Sequence, residues 1–492
     1  MSKQIIGFYL GIAIFFVLLF IPEPEGMNKE AWKTAAVGLL MATWWITEAI
    51  PIPATSLLPI VLFPILGVMS ISEATSPYAN PLIYLFMGGF IIAIAMKRWQ
   101  LHKRIALNIV NFVGTNPKSI IIGFIIASAF LSMWVSNTAA ALMMLPIALS
   151  VIEMSKKQGG LEQNEGHTKT NFELVLVLSI AYACNIGGTG TLIGTPPNAV
   201  LAGYMLEAHQ FEISFLDWLL VGLPFVIIGL PVMYFVLSKV VYPVTLDKLP
   251  GGSQAIQDEL QKLGTITGPE KKVATVFVLT ACAWIIRPFI SDIVPGLSDA
   301  GIAITAGAIL FMIPADRKKG TNILEWSDMK DMPWGILILF GGGLSLAAAI
   351  SGTGLAAWIG SAISALQVLP LLMLLAFAVS VMIFLTEITS NTATTSVFVP
   401  ILASVAIGLG QNPLLFAVPA ALGASCAFML PVATPPNAII YASNEVKIFQ
   451  MSRAGLWLNI VFIAFITLCA YTVILYAFGI ELGEIPEWVI SR

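Results

Sequence analysis

The sequence predicts an all-α polytopic membrane protein of about eleven transmembrane helices, folded as two inverted repeats that each carry a re-entrant hairpin and a broken helix. Three observations predict it. Of 492 residues, 58% are hydrophobic and only 10% charged, with a mean hydropathy of +0.90, whereas a soluble domain carries roughly 25% charged residues. The apolar residues fall in blocks such as Ile5–Ile21 and Leu456–Phe478, close to the ~20 residues that cross a bilayer core. Finally, short motifs recur at a fixed spacing in the two halves.

In chain order, spans are expected near 5–21, 31–50, 54–70, 81–96, 172–206 (interrupted), 213–240, 272–292, 299–315, 333–350, 412–445 (interrupted) and 454–478. The first block is not read as a cleaved signal: Pro22-Glu23-Pro24 follows it and no small-residue cleavage site appears. Two stretches, about 118–154 and 369–409, are too long for one span and carry polar tips, so they read as hairpins that enter and leave on one side. Placing the N-terminus in the cytoplasm and the C-terminus outside puts Lys97, Arg98, Lys103, Arg104, Lys156, Lys157, Lys239, Lys262, Lys271, Lys272, Arg317, Lys447 and Arg453 inside. The loops near 71–80, 206–213, 291–299 and 351–368 hold no Lys or Arg; Lys29 and Lys33, set among Glu23, Glu25 and Glu30, are the exceptions on the outer side. The expected organisation is an additional first helix (1–30), a first repeat (31–242), a cytoplasmic linker carrying a surface helix (243–270), and a second repeat (271–480). Cys184, Cys282, Cys426 and Cys469 lie in apolar stretches without CxxC spacing and read as packing residues. Net charge is −3 and no basic run occurs, which excludes a nucleic-acid partner and leaves the lipid bilayer as the main surroundings.

The repeat fixes the architecture. Leu85-Phe86-Met87-Gly88-Gly89 matches Leu339-Phe340-Gly341-Gly342-Gly343 at an offset of 254, and Ser136-Asn137-Thr138 matches Ser390-Asn391-Thr392 at the same offset. A third pair, Thr195-Pro196-Pro197-Asn198 and Thr434-Pro435-Pro436-Asn437, is offset by 239; the polar loop around Ser155–Asn171 absorbs the difference, where an insertion is tolerated. In the topology above the first motif runs outside to inside and its copy inside to outside, so the repeats are inverted. The hairpins then enter from opposite sides and their tips meet near the midplane, as in secondary transporters.

Chemistry is expected at those tips. Each places a hydroxyl, an amide and a hydroxyl where the chain reverses at membrane depth, and unsatisfied backbone groups there cost several kcal/mol apiece. The residues can serve simply as helix caps, yet free helix N–H groups also attract anions. The run from Gly187 to Asn198 cannot stay helical through its glycines and prolines, and its freed carbonyls suit a small cation. One locus can therefore hold a cation and an anion. A dinucleotide loop is excluded, because Ile193 stands where G-x-G-x-x-G needs glycine. Of the intramembrane charges, Glu387 lies one turn from the second tip and reads either as a cation-tuning or proton-carrying group or as a structural cap. Glu48 reads as part of a structural bend, and Arg287 as a snorkelling side chain. His102, His167 and His209 read as loop residues without metal spacing. Neither H-E-x-x-H nor G-x-S-x-G occurs, so an enzyme such as a membrane hydrolase is not expected.

Twin Ser-Asn-Thr motifs on opposed hairpins, with Gly-Thr-Pro-Pro-Asn and Ala-Thr-Pro-Pro-Asn breaks, resemble the divalent anion:sodium symporter family of di- and tricarboxylate transporters across essentially the whole chain. The resemblance implies a homodimeric, elevator-type secondary transporter importing a C4 dicarboxylate such as succinate, malate or fumarate with sodium. Matched position by position, it implies one sodium site at Ser132, Ser136, Asn137 and Gly194 and another at Thr386, Thr389, Asn391 and Ala433. The substrate carboxylates would be held by Ser136, Asn137, Thr138, Thr195, Ser390, Asn391, Thr392, Thr434 and Pro435. None of these is Arg or Lys, so sodium would supply the charge that compensates a buried dianion. Relatives in such a family include sodium-independent exchangers and carriers of citrate, 2-oxoglutarate or sulfate, which remain alternatives; a channel is disfavoured because tips facing from both sides close a continuous pore.

Overall fold

A computed structural model describes residues 3–114, 116–157, 171–246, 249, 252–316, 318, 320–363 and 369–490. The chain is almost wholly helical; among the described residues the only strands are the short antiparallel pair Pro314–Asp316 and Thr321–Asn322. Nine described helices are long and apolar enough to cross a membrane.

The first helices build one flank. α1 (Lys3–Phe20) packs along α2 (Lys29–Thr47), whose start is capped by the Asn28 side chain accepting from the Ala31 N–H. The expected span at 54–70 is broken into a turn at Ile52–Thr55 and α3 (Leu58–Leu66), with prolines at 53, 59 and 64. α4 (Pro81–Arg98) follows, then α5 (Leu101–Val113), an amphipathic helix where the sequence predicts a loop. His102 therefore sits in a first helical turn, its Nδ1 2.9 Å from the Met96 carbonyl oxygen.

The first hairpin is α6 (Pro117–Ser132) and α7 (Asn137–Lys157). The first broken helix is α8 (Asn171–Gly188) and α9 (Pro196–His209), and α10 (Phe215–Phe235) continues in π-helical geometry to Val241. The loop expected to absorb the offset difference, with His167 in it, lies largely outside the described residues. α11 (Gly252–Leu263) is the linker helix and docks on α5 and α7, burying Ala255 and Ile256. Its Glu259 pairs with Lys103 at 2.8 Å and Lys262 at 2.6 Å. Those hydrogen bonds hold the Glu259 carboxyl below the usual carboxylate range.

The second half repeats the plan. α12 (Gly268–Ile290) and α13 (Asp299–Met312) precede α14 (Trp334–Gly352) and α15 (Leu355–Ile363). The second hairpin is α16 (Leu371–Thr386) and α17 (Asn391–Gly408). The second broken helix is α18 (Leu414–Ser425) and α19 (Pro435–Ala442), and α20 (Ile448–Cys469) continues through a π-segment to Phe478. Leu101 and Leu355, Pro117 and Leu371, and Asn137 and Asn391 all begin equivalent helices at the 254 offset.

Packing interlocks the halves. α19 lies against α7 and α8 of the first half, while α9 lies against α17 and α18 of the second. α18 is buried along its whole length, and α8 from Phe172 to Gly188; these two helices form the centre. Outer helices present large apolar side chains such as Phe112, Ile227, Phe289 and Leu468, which suits a lipid surface.

Three further sequence expectations change. His209 closes α9 instead of lying in a loop. Arg287 does not snorkel: it is largely buried and paired with Glu212 at 2.7 Å and Asp299 at 3.1 Å, because Asp299 at the start of α13 needs a counter-charge. Cys282 is exposed on α12, whereas Cys184, Cys426 and Cys469 are buried packing residues as expected.

Candidate functional site

Each Ser-Asn-Thr motif falls where a hairpin turns. In the first, the Ser132 hydroxyl at the end of α6 is 2.5 Å from Asn137 Oδ1 and 2.7 Å from the Cys184 carbonyl of α8. In the second, the Thr386 hydroxyl is 2.6 Å from Asn391 Oδ1 and 3.0 Å from the Ala424 carbonyl of α18. The two clusters are the same construction at equivalent positions. Each gathers a hydroxyl, an amide oxygen and a main-chain carbonyl, all neutral and all oxygen, which suits a hard alkali cation. Among the described residues no group of His, Cys, Asp and Glu converges as a metal site would require.

The breaks are held open by the asparagines of the two Thr-Pro-Pro-Asn motifs. Asn198 Nδ2 donates to the carbonyls of Thr191 at 2.8 Å and Gly188 at 3.4 Å. Asn437 Nδ2 donates to the equivalent carbonyls of Leu430 at 3.1 Å and Ala427 at 3.2 Å. The paired prolines start α9 and α19 at positions where their missing N–H costs nothing. Glycine is needed where the break passes the tip: a Cβ on Gly188 would stand 2.6 Å from Asn137 Oδ1.

Glu387 acts as a clamp on the second break. Its carboxylate accepts the N–H groups of Phe428 (2.8 Å), Met429 (2.9 and 3.0 Å) and Leu430 (3.0 Å) and the Asn459 amide at 2.8 Å. Of the two readings the sequence allowed, the geometry is that of a structural cap. The equivalent position in the first half is Met133, whose carbonyl accepts the Thr191 hydroxyl, so the two breaks are pinned by different chemistry.

Between the tips lies a cavity of about 1060 Å³. Ser136, Asn137, Thr138, Gly194, Thr195, Thr389, Ser390, Asn391, Thr392, Ala433, Thr434 and Pro435 all line it; Ser132 and Thr386 lie fully buried beneath it, bonded to the tip asparagines. The sequence-expected set is thus brought to one place. Thr434 accepts from the Asn437 N–H at 3.3 Å and from Asn185 Nδ2 at 3.1 Å, so a residue of the first half braces the second. Sequence reasoning missed Asn185, which has no repeat counterpart, and gave Asn198 and Asn437 no task. It also missed that Lys3, and Glu48 beyond its bend, line the cavity; both lie outside the repeated motifs.

The chain matches the family described as the sodium:sulfate symporter transmembrane region over residues 2–478. It is 44% identical over 488 residues to the sodium-dependent dicarboxylate transporter SdcS of Staphylococcus aureus (strain USA300), covering 98% of this chain and 94% of that one. It is also 44% identical over 490 residues to SdcS of Staphylococcus saprophyticus, covering 98% and 93%. Two solved structures share the fold at 13% identity. The Alcanivorax borkumensis YdaH transporter aligns with a TM-score of 0.58 over 97% of each chain. Neisseria gonorrhoeae MtrF, from a class of antimetabolite efflux pumps, aligns with 0.60 over 98% of this chain and 96% of that one.

Proposed function

This chain belongs to the sodium:sulfate symporter family, that of the divalent anion:sodium symporters, and is a multi-pass membrane transporter and not an enzyme; from that premise we propose that it imports a C4 dicarboxylate together with sodium across the plasma membrane. The observation that carries the proposal is the pair of equivalent oxygen clusters, Ser132–Asn137–Cys184 and Thr386–Asn391–Ala424, flanking one cavity. The names of the relatives, sodium-dependent dicarboxylate transporters, support both ligands.

The two sodium sites are Ser132, Ser136, Asn137 and Gly194, and Thr386, Thr389, Asn391 and Ala433. Sodium draws the amide oxygens of Asn137 and Asn391 toward the cation and leaves their Nδ2 groups, the tip hydroxyls and the freed N–H groups facing the cavity. Ser136, Thr138, Thr195, Ser390, Thr392, Thr434 and Pro435 complete the surface for two carboxylates. A buried dianion costs several kcal/mol per charge even after relaxation, and the lining of the tips offers no fixed cation to offset it. Sodium must therefore bind first, and by linkage the anion then raises the affinity for sodium by the same factor.

Transport in this reading moves the hairpins and broken helices as one body against the flank of α1–α4, α13 and α14, in a homodimer with the first residue cytoplasmic and the last outside. The test uses purified protein in liposomes and radiolabelled succinate, with an inward sodium gradient or with potassium in its place, and with or without succinate inside. Sodium-dependent uptake that needs no internal substrate and vanishes in Asn137→Ala and Asn391→Ala is the expected result. Uptake that ignores sodium but needs internal dicarboxylate would make the protein an exchanger. Sulfate or citrate uptake in place of succinate would reassign the substrate.

A further inference from the structure

The cavity has one feature that its pseudo-symmetry does not explain. Among the described residues that line it, only Lys3 and Glu48 carry charge. Both sit at its mouth and both are exposed. Lys3 belongs to α1, which lies outside the two repeats, and its Nζ donates to the carbonyl of Ile388 at 3.1 Å. Ile388 stands immediately before Thr389 and Ser390 of the second tip. Glu48 ends α2 in a left-handed conformation (φ 52°), its N–H bonded back to the Trp44 carbonyl.

The ammonium is held in place by α1 as a whole. Gly7 passes so close to Thr47, and Gly11 to Trp44, that a Cβ at either position would collide. Trp44 stacks on Phe8 with centroids 5.3 Å apart and donates its indole N–H to the Phe8 carbonyl at 3.3 Å. The first turn of α1 is thereby fixed against the end of α2, and Lys3 is carried to the rim.

We propose that Lys3 is a specificity-determining residue for the dianion: bonded at the mouth to the Ile388 carbonyl in the turn of the second hairpin, its ammonium draws dicarboxylate into the cavity against the opposing charge of Glu48, outside the Ser-Asn-Thr side chains proposed to bind it. This rests on the reading of the protein as a dicarboxylate transporter. The position matters because a cation among the tips would neutralise the substrate without sodium and uncouple the two. At the rim a cation speeds capture and sets charge preference, and its influence fades as salt shortens the Debye length from ~10 Å at 0.1 M to ~3 Å at 1 M. Because the cavity opens beside the first residues of α1, which the proposed topology places in the cytoplasm, the effect belongs to binding from the cytoplasmic side, the reverse of the import direction, and not to loading from outside.

The experiment measures succinate transport at saturating sodium in intact cells and in everted membrane vesicles, which load the protein from opposite sides, at low ionic strength and again with choline chloride added. In the orientation that loads past Lys3, Lys3→Gln raises KM by about threefold and Lys3→Glu by about tenfold at low salt, with the maximal rate kept, and added salt removes the difference. Lys3→Arg stays near the native value. Glu48→Gln shifts KM the other way, lowering it by about twofold, a gain that misfolding could not produce. A KM unchanged in Lys3→Gln, changed equally in both orientations, or changed independently of salt would overturn the proposal while leaving dicarboxylate transport intact. Absence of succinate transport by the native chain in both orientations would overturn the function and this inference together.

Discussion

Asn137 and Asn391 each carry two tasks with one side chain. Oδ1 meets the hydroxyl of Ser132 or Thr386 beneath the cavity, and the residue itself lines the cavity above. Ser132→Ala and Thr386→Ala should therefore leave substrate contacts in place yet raise the sodium concentration for half-maximal uptake, by about tenfold for a lost hydrogen bond to an ion-binding group of ~1.5 kcal/mol. The sodium activation curve at fixed succinate checks this, and a change in succinate KM at saturating sodium with no change in sodium dependence would contradict it. Glu387 predicts a different outcome. Removing its carboxylate orphans the N–H groups of Phe428, Met429 and Leu430 and the buried Asn459 amide, so Glu387→Ala should cost about 3 kcal/mol of stability, seen as early thermal unfolding in detergent with sodium present. The tip residues were legible in the sequence because each appears twice at one offset. Asn185 and Lys3 were not, and Glu387 was legible only as one of two alternatives, a functional charge or a cap, because none is repeated and each acts on a distant segment that only folding brings near.

At the scale of elements, the broken helices set the geometry beside the tips. α8 ends at Gly188 because the chain must pass the first tip closely there, and α9 restarts on two prolines. Gly188→Ala pushes a methyl group against Asn137 Oδ1 and should abolish sodium-dependent uptake while the protein still purifies as a folded species. Gly352→Ala, at a helix end where a Cβ meets nothing within 4 Å, should leave uptake near the native rate; loss in both or neither would refute the steric account. Most helices were readable from apolar length and from Gly and Pro punctuation. α5 and α15 escaped because they are too short to span, and the sequence reading gave their residues to loops. Their equivalence at the 254 offset is visible once the repeat is laid out helix by helix. The fate of Arg287 escaped for another reason: its partners Glu212 and Asp299 lie on segments that the hydropathy pattern treats as separate loop and helix.

Across the whole molecule, the two oxygen clusters share one cavity, so ligand effects on stability should not be independent. A ligand that binds only the folded state stabilises it by about 2.7 kcal/mol at one hundred times its Kd. Succinate in potassium should leave the unfolding temperature unchanged, sodium alone should raise it, and the two together should raise it by more than sodium alone. Equal shifts from succinate in potassium and in sodium would break the proposed linkage. The interlocking of the halves also bears on how the protein is made. The surface of α7 and α8 that receives α19 is synthesised first, and at ~5–20 residues per second the ribosome delivers Thr434 and Asn437 to Asn185 only some 250 residues later, roughly 12–50 s. Throughout that interval the newborn half stands in the bilayer with a polar seam and no mate, a natural client for an insertase or chaperone and an early target for membrane proteases should translation stall.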